Sequence, residues 1–427
     1  MNISLDKKEG FYINADSEWA PEGWIATTLG ALTHWASGGT PSKANSSYWN
    51  GSIPWISATS MNGKYICDSE LKITEEAVRN GSKIAKKGTL LFLVRGSGLY
   101  NTISFGIATR DVAFNQDVKS FTAKDPRVSH EFLYYLLKGR LRKLRFLLED
   151  TGIGAGKYDT ERLKNLSITF PKCDKERAEL LATFNSLDNK IELLNEQNET
   201  LEELAQTLFK RWFIDFNFPD ENGNPYKGSN GKMIASELGE IPEGWKLGKL
   251  CEVCDIHDSK RVPLSKKQRE QRKGKFPYYG ATSIMDHVDD FLFDGVYLLL
   301  AEDGSVIKED KTPFLQYVWG KFWVNNHAHV MSGKNGYSTE MLYLKFKKTN
   351  VSELITGAVQ LKINQGNLMA SDVVIPPIEI ESDFTKISSQ VFEKIRTNSQ
   401  QIQTLTKFRD MLLPKLMKGE IRVTVES

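Results

Sequence analysis

The stretch from residue 180 to residue 212 reads LLATFNSLDNKIELLNEQNETLEELAQTLFKRW and decides the fold. Apolar or small side chains recur along it in alternating steps of four and three residues, which is a heptad pattern. The positions of this seam are Leu180, Phe184, Leu187, Ile191, Leu194, Asn198, Leu201, Ala205, Leu208 and Trp212. No Gly or Pro interrupts the run, so it predicts one long helix. Its single narrow apolar stripe must lie against a partner surface.

A second, looser heptad pattern near the other end of the chain supplies that partner. Its positions are Phe384, Val391, Ile395, Asn398, Ile402, Leu405, Leu412 and Leu416. We expect the two helices to pair as a coiled coil, in which the polar Asn198 and Asn398 fix the register at some cost in stability. The alternative is that two amphipathic helices pack separately, each on its own domain.

The composition is that of a folded protein with more than one domain. The chain has 427 residues, a formal net charge of +2 and 40% hydrophobic residues, which favours two or three domains and no particular charged partner. Four cysteines do not make a disulfide framework, so we expect a reduced cytoplasm. The first ten residues lack the apolar core of a signal peptide, and no apolar run approaches the ~18 residues that span a bilayer.

The chain contains an internal repeat. The tetrapeptide Pro-Glu-Gly-Trp at 21–24 returns at 242–245. Thr-Gly at 151–152, Lys157 and Pro171 return 205 residues later at 356–357, Lys362 and Pro376. One of the two heptad helices follows each copy. A period of this size indicates a duplicated domain rather than a solenoid.

We therefore predict an α+β fold in which a domain, a helix, a second domain and a second helix follow one another. The boundaries are placed at 1–172 for the first domain, 173–217 for its helix, 218–240 for a linker, 241–377 for the second domain and 378–427 for the last helix and tail. Apolar runs at 53–56, 89–94 and 295–300 predict strands. Segments 131–148 and 338–346 predict helix, or helix running into strand.

No catalytic set stands out in the sequence. The glycine-rich loop at 151–157 lacks the spacing of a P-loop and follows a helical stretch, so a plain loop is the better interpretation. Cys251 and Cys254 have zinc-ligand spacing, but no second pair exists, and two small residues of a buried strand are the simpler explanation. The charged loop with Asp303, Glu309 and Lys311 only faintly suggests a nuclease. We predict no resident metal or cofactor and no enzymatic activity.

Clusters of basic side chains are more informative. Segment 260–275 holds eight basic residues and one acid, Glu270, and a smaller basic cluster lies at 138–145. Clustered Lys and Arg attract phosphates, and Arg, Asn and Gln can hydrogen-bond base edges bidentately. A solvated protein surface is the alternative for any single residue. Two basic patches on duplicated domains favour DNA binding by the pair.

Motifs spread over nearly the whole chain point to a known family. They are the two Pro-Glu-Gly-Trp starts, GGTPS at 38–42 followed by Tyr-Trp-x-Gly-x-Ile-Pro-Trp at 48–55, LAQTLFKRWF at 204–213, YGA at 279–281 and LLPKLMKGEI at 412–421. Together they make the chain resemble the specificity subunit of type I restriction–modification systems. Any one of these motifs alone is weak.

The resemblance implies a non-catalytic subunit with two target-recognition domains, each of which reads one half of a bipartite DNA sequence. It also implies that the two long helices form an antiparallel coiled coil, set the unread gap and dock two modification subunits. Those partners bind S-adenosylmethionine and methylate adenine, and restriction subunits driven by ATP and Mg join them. Because the two domains diverge between their shared ends, we expect an asymmetric target.

The DNA-contacting residues are chosen by chemistry and loop context, because the family's base-reading region varies with the target. For the first domain the candidates are Thr40, Ser42, Lys43, Arg95, Ser97, Asn101, Lys157 and Tyr158. For the second domain they are Lys260, Arg261, Lys273, Tyr278, Tyr279, Asp303, Lys362 and Asn364. We expect most of them to contact phosphates or groove walls, and about a third to contact bases.

Two other functions stay open at this point. One is a single-chain methyltransferase or nuclease with built-in recognition domains, against which the absence of a cofactor motif speaks. The other is a coiled-coil scaffold that binds proteins and no DNA, against which the basic segment 260–275 speaks. Steep salt dependence of DNA retention would exclude the scaffold.

Overall fold

A computed structural model describes residues 11–12, 20–152, 154–357 and 360–423. The predicted lead-in before residue 20 apart from 11–12, Ile153 of the glycine-rich loop, Ala358 and Val359 of its counterpart, and the last four residues of the tail lie outside the described residues. The chain divides into two compact units. Unit 1 comprises Met1–Glu192 and Gln401–Ser427, and unit 2 comprises Leu193–Gln400. The division falls within the two long helices.

Unit 1 holds sixteen short strands among its described residues. They are β1 (Phe11–Tyr12), β2 (Ala20–Pro21), β3 (Trp24–Thr28), β4 (Thr33–Ser37), β5 (Trp49–Ile56), β6 (Tyr65–Ile66), β7 (Lys72–Ile73), β8 (Lys83–Ala85), β9 (Leu90–Leu93), β10 (Arg95–Gly96), β11 (Phe105–Ala108), β12 (Val112–Phe114), β13 (Val118–Ala123), β14 (Leu148–Asp150), β15 (Gly156–Tyr158) and β16 (Ser167–Pro171). The helices are α1 (Leu29–Leu32), α2 (Glu75–Arg79), α3 (His130–Lys138), α4 (Leu141–Leu147), α5 (Thr160–Lys164) and the start of α6 (Asp174–Phe209). Short 3₁₀ turns occupy Ser46–Tyr48, Ala58–Ser60 and Ser97–Tyr100.

The core of unit 1 lies between a five-stranded sheet and helix α3. The sheet has the order β4-β13-β9-β11-β6, and its central strand β9 is buried at all four positions. A four-stranded sheet β7-β5-β12-β8 and a three-stranded sheet β10-β15-β14 flank it, and β16 pairs with β3. Six consecutive residues of α3, from Phe132 to Leu137, are buried, so this helix is enclosed on all sides.

Unit 2 has fewer and longer strands. They are β17 (Met233–Ser236), β18 (Gly239–Pro242), β19 (Lys246–Lys249), β20 (Cys254–Ile256), β21 (Lys273–Tyr279), β22 (Ile284–Val288), β23 (Phe293–Ala301), β24 (Leu315–Val324), β25 (Ala328–Gly333), β26 (Ile355–Thr356), β27 (Lys362–Ile363) and β28 (Asp372–Ile375). The helices are α7 (Leu250–Val253), α8 (Lys266–Gln271), α9 (Thr339–Phe346), α10 (Gln365–Met369) and most of α11 (Ile378–Leu416). A π-helical turn, Lys210–Ile214, ends α6, and 3₁₀ turns occupy Lys227–Ser229, Asp258–Lys260 and Ser352–Leu354.

One six-stranded sheet organises unit 2. Its order is β20-β25-β23-β24-β21-β22, and all its pairs are antiparallel except β21 with β24. Helix α9 packs on this sheet, and β19 pairs with β28 at the ends of the domain. The predicted strands at 53–56 and 295–300 are confirmed as parts of β5 and β23, and the predicted strand at 89–94 is confirmed by β9, which lies within it.

Two local predictions need correction. The predicted helix 131–148 is broken into α3 and α4 at Gly139 and Arg140, because the Arg140 side chain turns inward and binds main-chain carbonyls. Cys251 and Cys254 do not share a buried strand. Cys251 is exposed in the helical turn α7, and buried Cys254 begins β20.

The two long helices pair in antiparallel fashion within each unit, as the resemblance implied. In unit 1, Arg409 donates to Asp188 at 2.7 Å, and Arg422 beyond the end of α11 binds Glu176 at the start of α6. In unit 2, Asn398 Nδ2 donates to Asn198 Oδ1 at 3.0 Å. There Phe384, near the start of α11, packs 6.0 Å from Phe209 at the end of α6. The predicted contact between the two asparagines is therefore confirmed.

None of the predicted seam side chains is exposed, although many are only half-buried. Phe392 and Leu413, outside the predicted positions, are 1% exposed. A straight helix has 3.6 residues per turn and drifts from a strict seven-residue repeat, so the buried face moves along α11. None of the helices in the described ranges has the length and apolar character that crossing a membrane requires.

Candidate nucleic-acid interface

In unit 1 the small sheet β10-β15-β14 brings two of the predicted contact residues together. Strands β10 and β15 pair antiparallel with Arg95 opposite Lys157, and both side chains are exposed. Within the residues that the structure describes, neither side chain has an ion-pair partner. Ser97 and Asn101 lie in the turn that follows β10 and are exposed as well. Two unpaired cations and two amide or hydroxyl groups are a set that suits phosphates and base edges.

The loop with Thr40, Ser42 and Lys43 is linked through residues 116 and 117 to the residue that precedes β10. Thr40 Oγ1 donates to Gln116 Oε1 at 2.5 Å, and the neighbouring Asp117 carbonyl accepts from Val94 N at 2.7 Å. Because Val94 directly precedes Arg95, the loop lies close to the exposed cations. Seven of the eight candidate side chains of this domain are therefore exposed on connected segments.

Tyr158 is the exception in unit 1. Its side chain is 1% exposed, and its ring packs edge-on against Phe92 with centroids 5.3 Å apart. Burial raises the pKa of Tyr158, since the phenolate cannot be hydrated there. Burial therefore removes Tyr158 from the candidate surface and assigns it to the core.

The basic cluster at 138–145 is also largely structural. Arg140 is 1% exposed and donates to the carbonyls of Leu136, Ser167 and Thr169, and burial lowers its pKa to about 9. Lys138 lies 3.9 Å from Asp188, and burial lowers its pKa to about 8 despite that carboxylate. The exposed basic side chains that remain in the cluster are Arg142 and Arg145.

The basic segment of unit 2 is partly neutralised by acids on the next strand. Lys273 binds Asp286 at 2.5 Å, Arg272 binds Asp289 at 2.9 Å, and Arg269 lies 3.5 Å from Asp286. Lys260, Lys266, Lys267 and Lys275 are exposed and have no ion pair in the described part of the chain. The sequence could have indicated this neutralisation, because three aspartates follow the basic segment at 286–290.

A buried charge cluster holds other candidates of unit 2. Arg261 binds Glu302 at 2.6 Å and Asp258 at 3.1 Å, and Lys362 binds Glu302 at 3.0 Å. Burial by itself would raise the pKa of Glu302, but hydrogen bonds from Arg261 and Lys362 lower it overall. Arg261 is thus engaged inside the domain, with a side chain that is only 12% exposed.

His329 completes this cluster and bears on metal binding. Its Nε2 lies 2.8 Å from the Ile363 carbonyl, and its Nδ1 lies 2.5 Å from Asp258 Oδ2. Asp258, Glu302 and His329 bring three potential metal-ligand atoms together. However, both ring nitrogens already have partners, and Arg261 and Lys362 balance the two carboxylates. The donor set fits a closed hydrogen-bond network better than a cation.

The remaining candidates of unit 2 differ in accessibility. Tyr278 is 1% exposed, and its hydroxyl accepts from Leu264 N at 2.9 Å, so burial also removes this tyrosine from the surface. Tyr279 is half-buried. Asn364 caps α10 by accepting from Asn367 N at 2.8 Å. Asp303 lies 2.6 Å from His327 Nδ1.

The two units contain structurally equivalent antiparallel pairings that the sequence did not reveal. In unit 1 the Val94 carbonyl accepts from Tyr158 N at 2.8 Å, and Arg95 stands opposite Lys157. In unit 2 the Glu302 carbonyl accepts from Ile363 N at 2.9 Å, and Asp303 stands opposite Lys362. Arg95 and Asp303 therefore occupy equivalent positions, next to lysines that are 205 residues apart in sequence.

Comparison with known proteins shows which family has this architecture. A family model described as the type I restriction modification DNA specificity domain matches residues 21–203 and, a second time, residues 242–407. The chain belongs to this family. The double match confirms the duplication that the repeated Pro-Glu-Gly-Trp and the offset of 205 residues predicted, and it confirms the resemblance.

Individual relatives agree with this assignment. The specificity subunit of the type I restriction enzyme MjaIX from Methanocaldococcus jannaschii is 29% identical over 431 residues, which cover 94% of each chain. The EcoR124I/EcoR124II specificity subunit from Escherichia coli is 30% identical over 194 residues, or 44% of this chain and 48% of that one. The crystal structure of the type I S subunit from M. genitalium has the same fold, with a TM-score of 0.53 and 18% identity over 97% of this chain and 99% of that one.

Proposed function

We propose that this chain is the DNA specificity subunit of a type I restriction–modification complex, and that each domain reads one half of a bipartite target. The observation that carries the proposal is the doubled match to the specificity domain, each copy of which ends within one long helix. A two-domain reader of this kind matches the local twofold symmetry of a duplex.

The two half-sites differ in sequence. In unit 1 the paired strands β10 and β15 offer Arg95 and Lys157, which have no ion pair in the described residues, whereas the equivalent pairing of unit 2 offers Asp303 and a lysine already bound to Glu302. Arg pairs bidentately with guanine, and Asp accepts from the amino group of cytosine. Equivalent positions with opposite charge therefore support an asymmetric target.

The helices α6 and α11 set the unread gap and dock two modification subunits. The pairing of Asn198 with Asn398 in unit 2 supports a fixed register, because a polar pair in an apolar seam disfavours sliding of one helix along the other. S-adenosylmethionine belongs to the modification subunits, and ATP and Mg belong to restriction subunits. The complex works in the cytoplasm, and this chain supplies recognition without catalysis.

The decisive experiment is co-purification with the modification subunits, followed by sequencing of methylated adenines in DNA exposed to the complex. We expect a bipartite, asymmetric motif with one gap length. A symmetric motif would contradict the asymmetry, and methylation by the isolated chain would contradict the assignment of catalysis to partners.

A further inference from the structure

Both long helices begin with a buried glutamate at an equivalent position. Glu176 lies in the first turn of α6 and Glu381 in the first turn of α11, 205 residues later. Each side chain belongs to a residue that is 2% exposed. A buried carboxylate ordinarily requires a cation or several hydrogen-bond donors.

In unit 1 this requirement is met. Arg422 donates to Glu176 through Nε at 2.9 Å and through Nη2 at 2.6 Å, which is the bidentate guanidinium–carboxylate arrangement. Trp24 Nε1 adds a third hydrogen bond at 3.3 Å. The cation comes from the segment that follows the other long helix.

In unit 2 the equivalent carboxylate is unpartnered. Within the described residues, the Glu381 side chain has neither a hydrogen bond nor an ion pair, and it lines a cavity of about 570 Å³ with Gly244, Asn335 and Pro377. Lys246 and Lys334 also line the cavity, but they pair with Glu252 at 3.4 Å and Asp255 at 3.3 Å.

The backbone leaves room for the carboxylate at one point of this cavity. Gly336 has φ +97°, and a Cβ built on it would lie 2.8 Å from Glu381 Oε2. The same Cβ would lie 2.2 Å from Ile378 Cδ1, so any other residue at position 336 would crowd both side chains and would strain the backbone. The glycine therefore leaves room for the Glu381 carboxylate.

The sequence indicates why the described part of the chain supplies no such cation in unit 2. At the offset of 205 residues that relates Glu176 to Glu381, Arg422 corresponds to Asn217, a neutral residue whose Oδ1 accepts from Gly228 N at 2.9 Å. The next residue, Phe218, stacks on Trp245 with ring centroids 5.3 Å apart. Unit 2 therefore retains the buried carboxylate without the arginine that pairs with it in unit 1.

We propose that the cavity beside Glu381 binds the guanidinium group of an arginine from a modification subunit. The unpaired Glu381 carboxylate lines this cavity, and the equivalent carboxylate of unit 1, Glu176, binds a guanidinium. Arginine suits it better than lysine, because the planar group binds a carboxylate bidentately and is more weakly hydrated. The identity of the partner rests on the proposed function, whereas the ligand class rests on the geometry alone.

The first test compares two full-length variants in their binding to the modification subunits. Glu381→Gln removes the buried charge with little change in shape, and Glu379→Gln makes the same change at an exposed position two residues earlier in α11. We expect Glu381→Gln to raise the Kd at least about tenfold and Glu379→Gln to change it less than about twofold. Equal affinities for the two variants would overturn the proposal for the partner.

The second test examines the site without any partner. N-acetyl-arginine amide should raise the thermal unfolding temperature of the wild-type chain above the effect of N-acetyl-lysine amide at matched ionic strength. Glu381→Gln should abolish the difference, and Glu379→Gln should retain it. If the arginine effect holds but the wild type binds no modification subunit, the proposed function fails and the site stands. No Glu381-dependent effect would overturn the site.

Discussion

The equivalent strand pairs of the two units have the same backbone arrangement and different charge. In unit 1, neither Arg95 nor Lys157 forms an ion pair within the described residues, although Glu149 stands opposite Lys157 on β14. In unit 2, Lys362 binds Glu302 and Asp303 binds His327. The glutamates that begin the two long helices differ in the opposite sense, because Glu176 pairs with Arg422 and Glu381 has no ion pair in the described part of the chain. The two copies thus share the same main-chain pairing, whereas their side chains form different ion pairs.

The two units also differ in whether they bury an arginine. Removing the buried arginine of unit 1 is the change from which we expect the largest loss of stability. Arg140 is enclosed in unit 1, whereas unit 2 buries no arginine among its described residues. Arg140→Ala should destabilise unit 1 by about 3–5 kcal/mol, because several carbonyls lose their donor and a cavity forms. Urea unfolding followed by hydrogen exchange should locate the loss in unit 1. Arg142→Ala, two residues away and exposed, should cost less than about 0.5 kcal/mol.

The free cations of unit 1 provide the next test. Arg95→Ala should reduce methylation through the first half-site about tenfold, since one bidentate base contact is worth about 1–3 kcal/mol. Asp303→Ala should relax base preference in the other half-site only. Sequencing of methylated adenines measures both effects. Arg79→Ala, which removes an exposed arginine paired with Glu75, is the control, and unchanged methylation by Arg95→Ala would refute that assignment.

The unpartnered Glu381 makes stability depend on pH. Burial raises its pKa to about 7, and nearby Lys246 opposes the shift only in part, while Tyr337 and the Lys246–Glu252 pair are the other titratable groups beside it. Because the folded pKa lies above the unfolded value, the stabilising effect of the proton is present at acidic pH and is lost as pH rises through 7. Relative to wild type, Glu381→Gln should therefore gain about 1–3 kcal/mol in unfolding free energy near pH 8.5.

The control for this pH effect is Glu176→Gln. It breaks the ion pair with Arg422, so it should destabilise the protein at both pH 6 and pH 8.5. Urea titrations at the two pH values measure both variants. A Glu381→Gln variant whose stability relative to wild type is independent of pH would contradict an uncompensated carboxylate.

The smallest expected effect concerns the asparagine pair of the coiled coil. Asn398 is fully buried, and its hydrogen bond to Asn198 is the only one that joins these two side chains. Replacing both by Leu should raise the melting temperature slightly, by the equivalent of about 1 kcal/mol, while weakening the specification of register. Methylated sites with more than one gap length would reveal slippage. A single gap length together with greater stability would mean that contacts other than the asparagine pair fix the register.

The sequence predicted the frame of this protein from periodic features. The heptad spacing around Leu187 and Leu194, the repeated Pro-Glu-Gly-Trp and the offset of 205 residues are local or linear patterns. They predicted two long paired helices and a duplicated α+β domain. The family came instead from a resemblance carried by motifs such as GGTPS at 38–42 and LAQTLFKRWF at 204–213. The contact between Asn198 and Asn398 was also predictable, because a single polar residue in each seam has few partners other than its counterpart.

Only the tertiary structure decided which charged side chains are exposed and unpaired, and so can bind a partner. Arg140, Arg261 and Lys273 look alike in sequence, yet one is buried among carbonyls, one lies in an acidic cluster and one pairs across two strands. Tyr158 and Tyr278 follow loop residues in sequence but point into the core. Sequence patterns determine which residues share an element, whereas the pairing and burial of a charge depend on groups far away along the chain, brought near only by folding.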